Sequence, residues 1–97
     1  MDFTKELSKR IDEILYYQWD PIGVSEEPFA RDEYTGYVGS ILSIVLRTDE
    51  INDISKLLDE IQENRMGLKP TPISLAHSKK IANLLIQHKN AIQEMQR

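Results

Sequence analysis

Hydrophobic residues recur every three or four positions over most of this chain, which is the spacing of amphipathic helices. The first such stripe contains Phe3, Leu7, Ile11, Ile14 and Gln18. It predicts a helix over residues 3–18 with this face buried. The sequence Trp-Asp-Pro-Ile-Gly-Val at positions 19–24 then ends the helix, because Asp20 precedes a proline and Gly23 suits a positive φ. We therefore predict a rigid loop before the second helix.

The second helix has the clearest apolar stripe in the chain. Pro28 suits its first turn, where a missing amide hydrogen costs nothing. Its apolar arc contains Tyr34, Tyr37, Val38, Ile41, Leu42 and Val45. Thr48 is then the expected N-cap of a third helix. Asp49 and Glu50 would interact favourably with the positive end of the dipole of that helix. The short connection predicts that the second and third helices are antiparallel neighbours.

The third and fourth helices follow from the same periodicity. The third carries the apolar stripe Ile51, Ile54, Leu58 and Ile61. Gly67 is expected to end it in a left-handed cap conformation. The last helix should run from about Ile73 to Met95, with fraying in its final residues. We predict an all-α fold, a compact bundle of about four helices with a long, ordered first loop, in a single domain over residues 1–97.

Composition narrows the expected location and chemistry. With no cysteine, the chain has no disulfide, thiol nucleophile or thiolate metal site, which fits a reducing compartment. The first six residues carry charge where a signal peptide needs an apolar run, and no stretch approaches the roughly 18 apolar residues of a membrane span. We therefore expect a cytoplasmic protein that does not associate with membranes.

Charge is distributed unevenly along the chain. Residues 1–63 hold 15 acidic and 6 basic side chains, whereas residues 64–97 hold 1 and 6, so a net charge of −4 divides into −9 and +5. The acidic part could steer a cationic partner, and Lys79, Lys80 and Lys89 could contact an anion. Alternatively, the two parts attract each other within the fold. We favour this second interpretation, because charged helix faces are usually only solvated.

No pattern in the sequence indicates catalysis. His77 and His88 are eleven residues apart on one predicted helix, about 16 Å at 1.5 Å per residue, so they cannot share a metal ion. The sequence Gly-Tyr-Val-Gly at positions 36–39 lies inside a helical pattern and follows no strand, unlike a nucleotide loop. We predict no catalytic residue, no metal and no cofactor.

The region around the first loop allows two interpretations. Asp20, Asp32 and Glu33 could form a weak cation site with oxygen ligands, but Asp20 suits a turn cap, and the other two would favour the dipole of the second helix from its first turns. Trp19 could form the wall of a ligand site, although a lone tryptophan in a small domain is more often a core anchor. Arg65 is expected to bury its stem and place its head near a carboxylate, for which Asp32 or Glu33 could be the partner.

One strip of small and polar residues is not explained by packing. At 100° per residue, it lies opposite the apolar arc of the second helix and contains Asp32, Gly36, Gly39, Ser40, Ser43 and Arg47. Each glycine inside a helix costs about 1 kcal/mol relative to alanine. We hypothesise that this strip receives another helix or a partner, and an exposed polar face is an equally good interpretation.

Several short motifs together resemble a known family. They are the sequence at 19–24, Asp-Glu-Tyr at 32–34, Tyr-Val at 37–38 and Arg-Met-Gly-Leu at 65–68. The chain resembles small bacterial helical proteins of the YugE-like domain-of-unknown-function family over residues 11–88. The resemblance implies a compact helical domain and no established activity. We interpret its main residues as a structural motif: Trp19, Asp20, Pro21, Gly23, Glu33, Tyr34, Arg65 and Gly67.

The chain departs from that family at two positions. Members have an aspartate soon after the Asp-Glu-Tyr triplet and a glutamate before the Arg-Met-Gly-Leu run, where this chain has Thr35 and Asn64. These departures weaken the case for an acidic metal or substrate site.

The predicted function is protein interaction without catalysis. We expect the acidic surface to bind a basic protein partner, as an immunity or antitoxin-like protein would. The alternative is a helical domain that binds a small ligand or metal, centred on the loop of Trp19 and Asp20. Nucleic-acid binding ranks third, because the net charge is unfavourable and no aromatic residue accompanies the lysines near the carboxyl end. The sequence leaves the oligomeric state open.

Overall fold

The structure, a computed structural model, describes residues 2–96. Within this range it contains four α-helices and no strand, which confirms the predicted all-α bundle. The helices are α1 (Phe3–Ile14), α2 (Val38–Arg47), α3 (Ile51–Asn64) and α4 (Pro72–Met95). A π-helical turn, Leu15–Trp19, continues α1, and two short 3₁₀ turns, Pro28–Ala30 and Thr35–Tyr37, precede α2.

The π-helical turn changes which residues α1 buries near its end. The amide of Asp20 donates to the carbonyl of Leu15, five residues earlier, at 3.0 Å. This wider turn moves the buried face by one residue relative to an α-helix. Trp19 is therefore buried and Gln18 exposed. The prediction that Gln18 lies on the buried stripe was wrong, and the loop begins at Asp20 rather than at Trp19.

The second helix starts later than predicted, at Val38 instead of near Pro28. Between them the backbone forms i to i+3 hydrogen bonds, such as the one from the amide of Glu33 to the carbonyl of Ala30 at 3.0 Å. Such bonds make tight turns and not an α-helix. The placement of Asp32 and Glu33 in the first turns of the second helix was therefore wrong.

The connection between α2 and α3 is three residues long. Thr48 has an extended backbone, and its hydroxyl accepts a hydrogen bond from the amide of Glu50 at 3.0 Å. Glu50 is the residue that directly precedes α3, so the prediction of Thr48 as N-cap was wrong by two positions. Ile51 is 37% exposed because it lies in the first turn, above the core, and its predicted burial was also wrong.

The boundaries of the last two helices agree with the sequence pattern. Gly67 has a φ of +69°, and the amide of Leu68 donates to the carbonyl of Gln62 at 2.9 Å across it. This is the predicted left-handed end of α3. Thr71 then caps α4 through reciprocal side-chain to backbone hydrogen bonds with Ser74. The start and end of α4 confirm the predicted last helix.

All four helices and the π-helical turn contribute to one core. Its fully buried apolar residues include Leu7, Ile11, Leu15, Ile41, Val45, Ile54, Leu58, Ala82, Leu85 and Ile92. Helix α4 packs against α1, α2 and α3, which explains why so long a helix keeps one apolar face. The core brings the end of α1 and the start of α2 together, and these two ends hold the first loop.

One lysine is buried beside this core. Lys89 on α4 is 6% exposed, and its Nζ donates to the carbonyls of Val45 at 2.7 Å and Thr48 at 3.1 Å. It also pairs with the carboxylate of Asp49. The ammonium of Lys89 therefore satisfies the carbonyls at the end of α2 and is not available to an anion from outside the fold, contrary to that expectation. Through this contact the basic segment, residues 64–97, binds the acidic segment, residues 1–63, within the fold.

Candidate functional site

The base of the first loop, residues 20–25, is organised by a single carboxylate. Asp20 has a left-handed backbone, with φ of 36°. Its side chain accepts hydrogen bonds from the amides of Val24 at 2.8 Å and Ser25 at 3.1 Å, and from the hydroxyl of Tyr34 at 2.8 Å. The same hydroxyl accepts from the amide of Ile22 at 3.2 Å. Asp20 thus holds the loop closed and ties it to the segment before α2.

These contacts decide the protonation of both side chains. Burial disfavours the charged form of Asp20, but the donors from Tyr34, Val24 and Ser25 outweigh it, and the pKa of Asp20 is lowered from its ordinary value. Burial is also the largest cause that raises the pKa of Tyr34, and the adjacent carboxylate of Asp20 adds to it. A carboxylate and a neutral phenol are therefore the stable pair here.

The acidic residues near the loop do not form a ligand cluster. Both oxygens of Asp20 are occupied by donors of the chain itself, whereas Asp32 and Glu33 are exposed. Within residues 2–96, no group of three histidine, cysteine, aspartate or glutamate side chains is placed to hold a metal ion. The arrangement of Asp20 is that of a turn cap.

Trp19 lies in the core and presents no surface to a ligand. It is 2% exposed, and the centre of its ring system is 5.6 Å from that of Tyr34 and 6.5 Å from that of Tyr37. Its Nε1 is buried without a hydrogen-bond partner. The aromatic contacts connect the loop base to the start of α2.

Two further residues of the predicted motif lie close to this cluster. Gly23 has a φ of +69° and follows Pro21 in the turn that Asp20 closes. Arg65 is exposed, and its guanidinium carbon lies 5.9 Å from the ring centre of Tyr37. In the described part of the chain, no ion pair joins Arg65 to Asp32 or Glu33. The predicted ion pair was wrong, because the ring of Tyr37 takes the place of a carboxylate.

The two histidines make different structural contacts. The Nε2 of His77 lies 3.0 Å from the carbonyl of Gln18 and 3.2 Å from that of Trp19, so it caps the end of the π-helical turn. The Nδ1 of His88 lies 3.3 Å from a guanidinium nitrogen of Arg10. Burial, and then the charge of Arg10, lower the pKa of His88. The sequence pattern does not reveal either contact, because both depend on the packing of α4 against α1.

A second part of the loop faces outward. We call residues 26–33 the acidic turn, because four of its side chains are exposed carboxylates: Glu26, Glu27, Asp32 and Glu33. In its middle, Phe29 is 97% exposed. The sequence analysis missed this residue, although an aromatic side chain outside every apolar stripe and between pairs of acidic residues was a visible signal.

The acidic turn is fixed at one end to the π-helical turn that continues α1 and at the other end to α1 itself. The hydroxyl of Tyr16 lies 3.0 Å from the carbonyls of both Val24 and Glu27. At the other end, Arg31 forms an ion pair with Asp12 at 3.0 Å, and its guanidinium carbon lies 4.8 Å from the ring centre of Tyr16. Phe29 is therefore presented on an anchored segment.

The predicted strip before and on α2 lies on the exposed surface of the protein. All six of its residues are exposed: Asp32, Gly36, Gly39, Ser40, Ser43 and Arg47. Asp32 and Gly36 precede α2, so the strip is not a single helix face as predicted. A side-chain carbon added at Gly36 or Gly39 would meet nothing within 4 Å. No helix of the described chain occupies the strip, and partner binding there stays a prediction.

Grooves between α2 and α3 adjoin this strip. One of about 460 Å³ is lined by Ile44 and Arg47 of α2 and by Leu57 of α3. A smaller one, of about 180 Å³, lies between Ser40 and Glu60. Both are open and carry side chains of both charges, so neither indicates a particular ligand.

Comparisons with family models, curated proteins and solved structures found no match to this chain. The resemblance to the YugE-like family therefore stays a prediction. In the part of the chain that the structure describes, no helix is long and apolar enough to cross a membrane.

Proposed function

We propose that this chain is a non-enzymatic protein-interaction domain that binds a basic partner through its acidic surface. The observation that carries this proposal is the local charge of the acidic turn. Within residues 2–96, no ion pair neutralises a carboxylate of the acidic turn. In contrast, Arg31, the one basic residue of the turn, is paired with Asp12 of α1. The acidic turn therefore presents four unneutralised carboxylates to solvent.

An unpaired acidic surface favours rapid and selective association with a cationic protein. Complementary charges steer the encounter of two proteins and exclude partners of like charge. An immunity or antitoxin-like protein, which covers a basic toxin, is the form of this role that we propose. Burial of the four carboxylates against lysine or arginine would replace the ion pairs that the fold itself does not provide.

The exposed strip before and on α2 belongs to the same proposal as a second contact. Asp32 is part of both the strip and the acidic turn, so the two surfaces adjoin at this residue. Because Gly36 and Gly39 have open space above them, a partner helix could approach closely there. Changing both glycines to alanine tests this contact. Weaker association supports it, whereas a more stable protein with unchanged association contradicts it.

The main test compares affinity capture by the wild type and by a variant without the four charges. In this variant, the carboxamide variant, Glu26, Glu27 and Glu33 become Gln and Asp32 becomes Asn. An extract of the source cells is applied to the immobilised protein at about 0.05 M salt. The immobilised protein is then washed at about 0.5 M salt. We expect a basic protein that the wild type retains, that salt releases and that the carboxamide variant does not retain.

A matched control changes two exposed charges of the opposite sign, with Lys79→Gln and Lys80→Gln. Capture by this control should equal that of the wild type. The proposal is contradicted if the captured protein is acidic, if high salt does not release it, or if the carboxamide variant retains it as well as the wild type does.

A further inference from the structure

Phe29 is exposed to an extent that the fold does not explain. Its side chain is 97% exposed, compared with 83% for Ile73, the next most exposed large apolar side chain among those described. Single exposed apolar residues are common on protein surfaces, so exposure alone assigns no role. Two further properties support a role for Phe29: the contacts that hold its segment and the charge around it. The second separates it from Ile73, which lies in the capped first turn of α4.

The segment that carries Phe29 is held in place from both sides. Phe29 is the middle residue of the 3₁₀ turn Pro28–Ala30, and the amide of Ala30 donates to the carbonyl of Glu27 at 3.0 Å. The hydroxyl of Tyr16 contacts that same carbonyl, and Arg31 is paired with Asp12. Binding through an ordered segment loses little conformational entropy, which favours affinity.

The charge around Phe29 is of one sign toward solvent. Glu26 and Glu27 precede it, Asp32 and Glu33 follow it, and all four are exposed. The nearby Arg31 is directed to Asp12 and to the rings of Tyr16 and Tyr17. Protein interfaces commonly place aromatic side chains in their core and polar side chains at their rim.

We propose that Phe29 is the anchor of the partner interface and that it inserts between apolar side chains bordered by lysine or arginine on a basic protein. This inference rests on the proposed function and names the part of the acidic surface that carries most of the affinity. The four carboxylates then pair with the basic border, while Phe29 supplies apolar burial and excludes water from those pairs.

Other occupants fit this surface less well. Anionic lipid would be repelled by the four exposed carboxylates that flank Phe29 in the sequence. A second copy of the chain would have to keep its own acidic turn away from this one, because the two turns repel each other. Only its basic residues, such as Lys79 and Lys80, could contact this acidic turn favourably. Both alternatives become outcomes of the experiment.

The experiment uses three synthetic peptides as probes. One is an amphipathic helix of lysine and leucine, the second has the same lysines but serine in place of leucine, and the third has glutamate in place of lysine. Dissociation constants are measured by fluorescence anisotropy for the wild type and for Phe29→Ala, Phe29→Leu and Ile73→Ala. Circular dichroism verifies that each variant is folded. Vesicles of anionic and of zwitterionic lipid, and sedimentation of the protein alone, test the other occupants.

We expect the wild type to bind the lysine–leucine peptide most tightly. Phe29→Ala should weaken this binding at least about tenfold, as loss of a hot-spot residue does, and leave the lysine–serine affinity unchanged. Phe29→Leu should retain most of the affinity, and Ile73→Ala should match the wild type.

The opposite results separate the two proposals. If Phe29→Ala binds the lysine–leucine peptide as the wild type does, the anchor is wrong, while salt-sensitive binding of both lysine peptides would still support the proposed function. If neither lysine peptide binds, both proposals fail. Equal binding of the glutamate–leucine peptide, binding to vesicles, or self-association that Phe29→Ala abolishes would each overturn the anchor.

Discussion

The two halves of the loop between α1 and α2 use their side chains in opposite ways. In the loop base, residues 20–25, one carboxylate accepts three hydrogen bonds from the chain itself. In the acidic turn, residues 26–33, four carboxylates and Phe29 face solvent. The base has one acidic residue among six, whereas the turn has four among eight. The two parts also differ in whether their carboxylates bond within the fold.

This contrast assigns different roles to neighbouring segments. The loop base stabilises the fold, and through Tyr16 and Val24 it also fixes the position of the acidic turn. The acidic turn is anchored by Arg31 and by the carbonyl of Glu27, and its four carboxylates stay available to a partner. Substitutions in the base should therefore change stability, and those of the exposed side chains in the turn should change binding.

The largest expected effect comes from the aromatic cluster beneath the loop base. We expect Trp19→Ala to lower the free energy of unfolding by about 3–5 kcal/mol, because it removes a large buried side chain and leaves a cavity. Urea unfolding measures this loss. It is followed by circular dichroism and not by tryptophan fluorescence, because Trp19 is the one tryptophan of the chain. A loss below about 1 kcal/mol would mean that Trp19 is not a core anchor.

Asp20 should give the next largest effect, and one that depends on pH. Asp20→Asn keeps the shape but loses an acceptor for the amide of Ser25, and we expect a cost of about 1–2 kcal/mol at neutral pH. The folded pKa of Asp20 lies below the ordinary value of 3.8, so its stabilisation is present above that value and is lost as the pH falls through the folded pKa.

The difference in stability between the wild type and Asp20→Asn should therefore shrink in acid. Unfolding curves in urea at a series of pH values measure it. A difference that stays constant down to the acid limit would contradict the proposed role of the carboxylate.

Two glycines allow a paired comparison in which the expected changes in stability are smaller. Gly23 in the loop base has a positive φ, so Gly23→Ala should destabilise the protein by about 1 kcal/mol. Gly39 in α2 has open space above it, and Gly39→Ala should stabilise by about 0.5–1 kcal/mol. Thermal unfolding of both variants measures the difference. Shifts of the same sign would disprove the contrast between the two positions.

The smallest expected effect on stability is that of Phe29→Ala. Because the side chain is 97% exposed, its loss should change the free energy of unfolding by less than about 0.5 kcal/mol. Urea unfolding followed by the fluorescence of Trp19 measures this. A cost above about 1 kcal/mol would show that Phe29 packs against the fold, and it would remove the basis for treating it as a partner anchor.

Much of the fold was predictable because the core-facing residues repeat regularly. The buried positions of α3 and α4, such as Leu58 and Leu85, follow the helical period, and Gly67 has the backbone angle that the end of a helix favours. Local signals of this kind act over a few residues. They are therefore readable from the sequence.

The features that the sequence did not predict depend on distant contacts. The burial of Trp19 was expected from its residue type, but the π-helical turn that directs it inward against Tyr34 was not, because a fixed period of 3.6 residues cannot anticipate that change of phase. Lys89 was interpreted as a surface charge because its partners, the carbonyls of Val45 and Thr48, are over forty positions away. Neither contact has a local pattern.

The late start of α2 has the same kind of cause. Tyr34 fits the apolar arc of a helix, but its hydroxyl bonds to Asp20, fourteen positions earlier. That bond draws the segment toward the loop base and leaves 3₁₀ turns in place of an α-helix. The exposed acidic turn, and with it Phe29, results from this arrangement.

The most direct test of the contrast is the salt dependence of peptide binding by the carboxamide variant. At about 0.05 M salt, we expect this variant to bind the lysine–leucine peptide at least about tenfold more weakly than the wild type, because four unscreened charges are lost. At about 0.5 M salt, where charges are screened, the two dissociation constants should converge. Equal dissociation constants at low salt would contradict the account, since the acidic turn would then not be the surface that meets a basic partner.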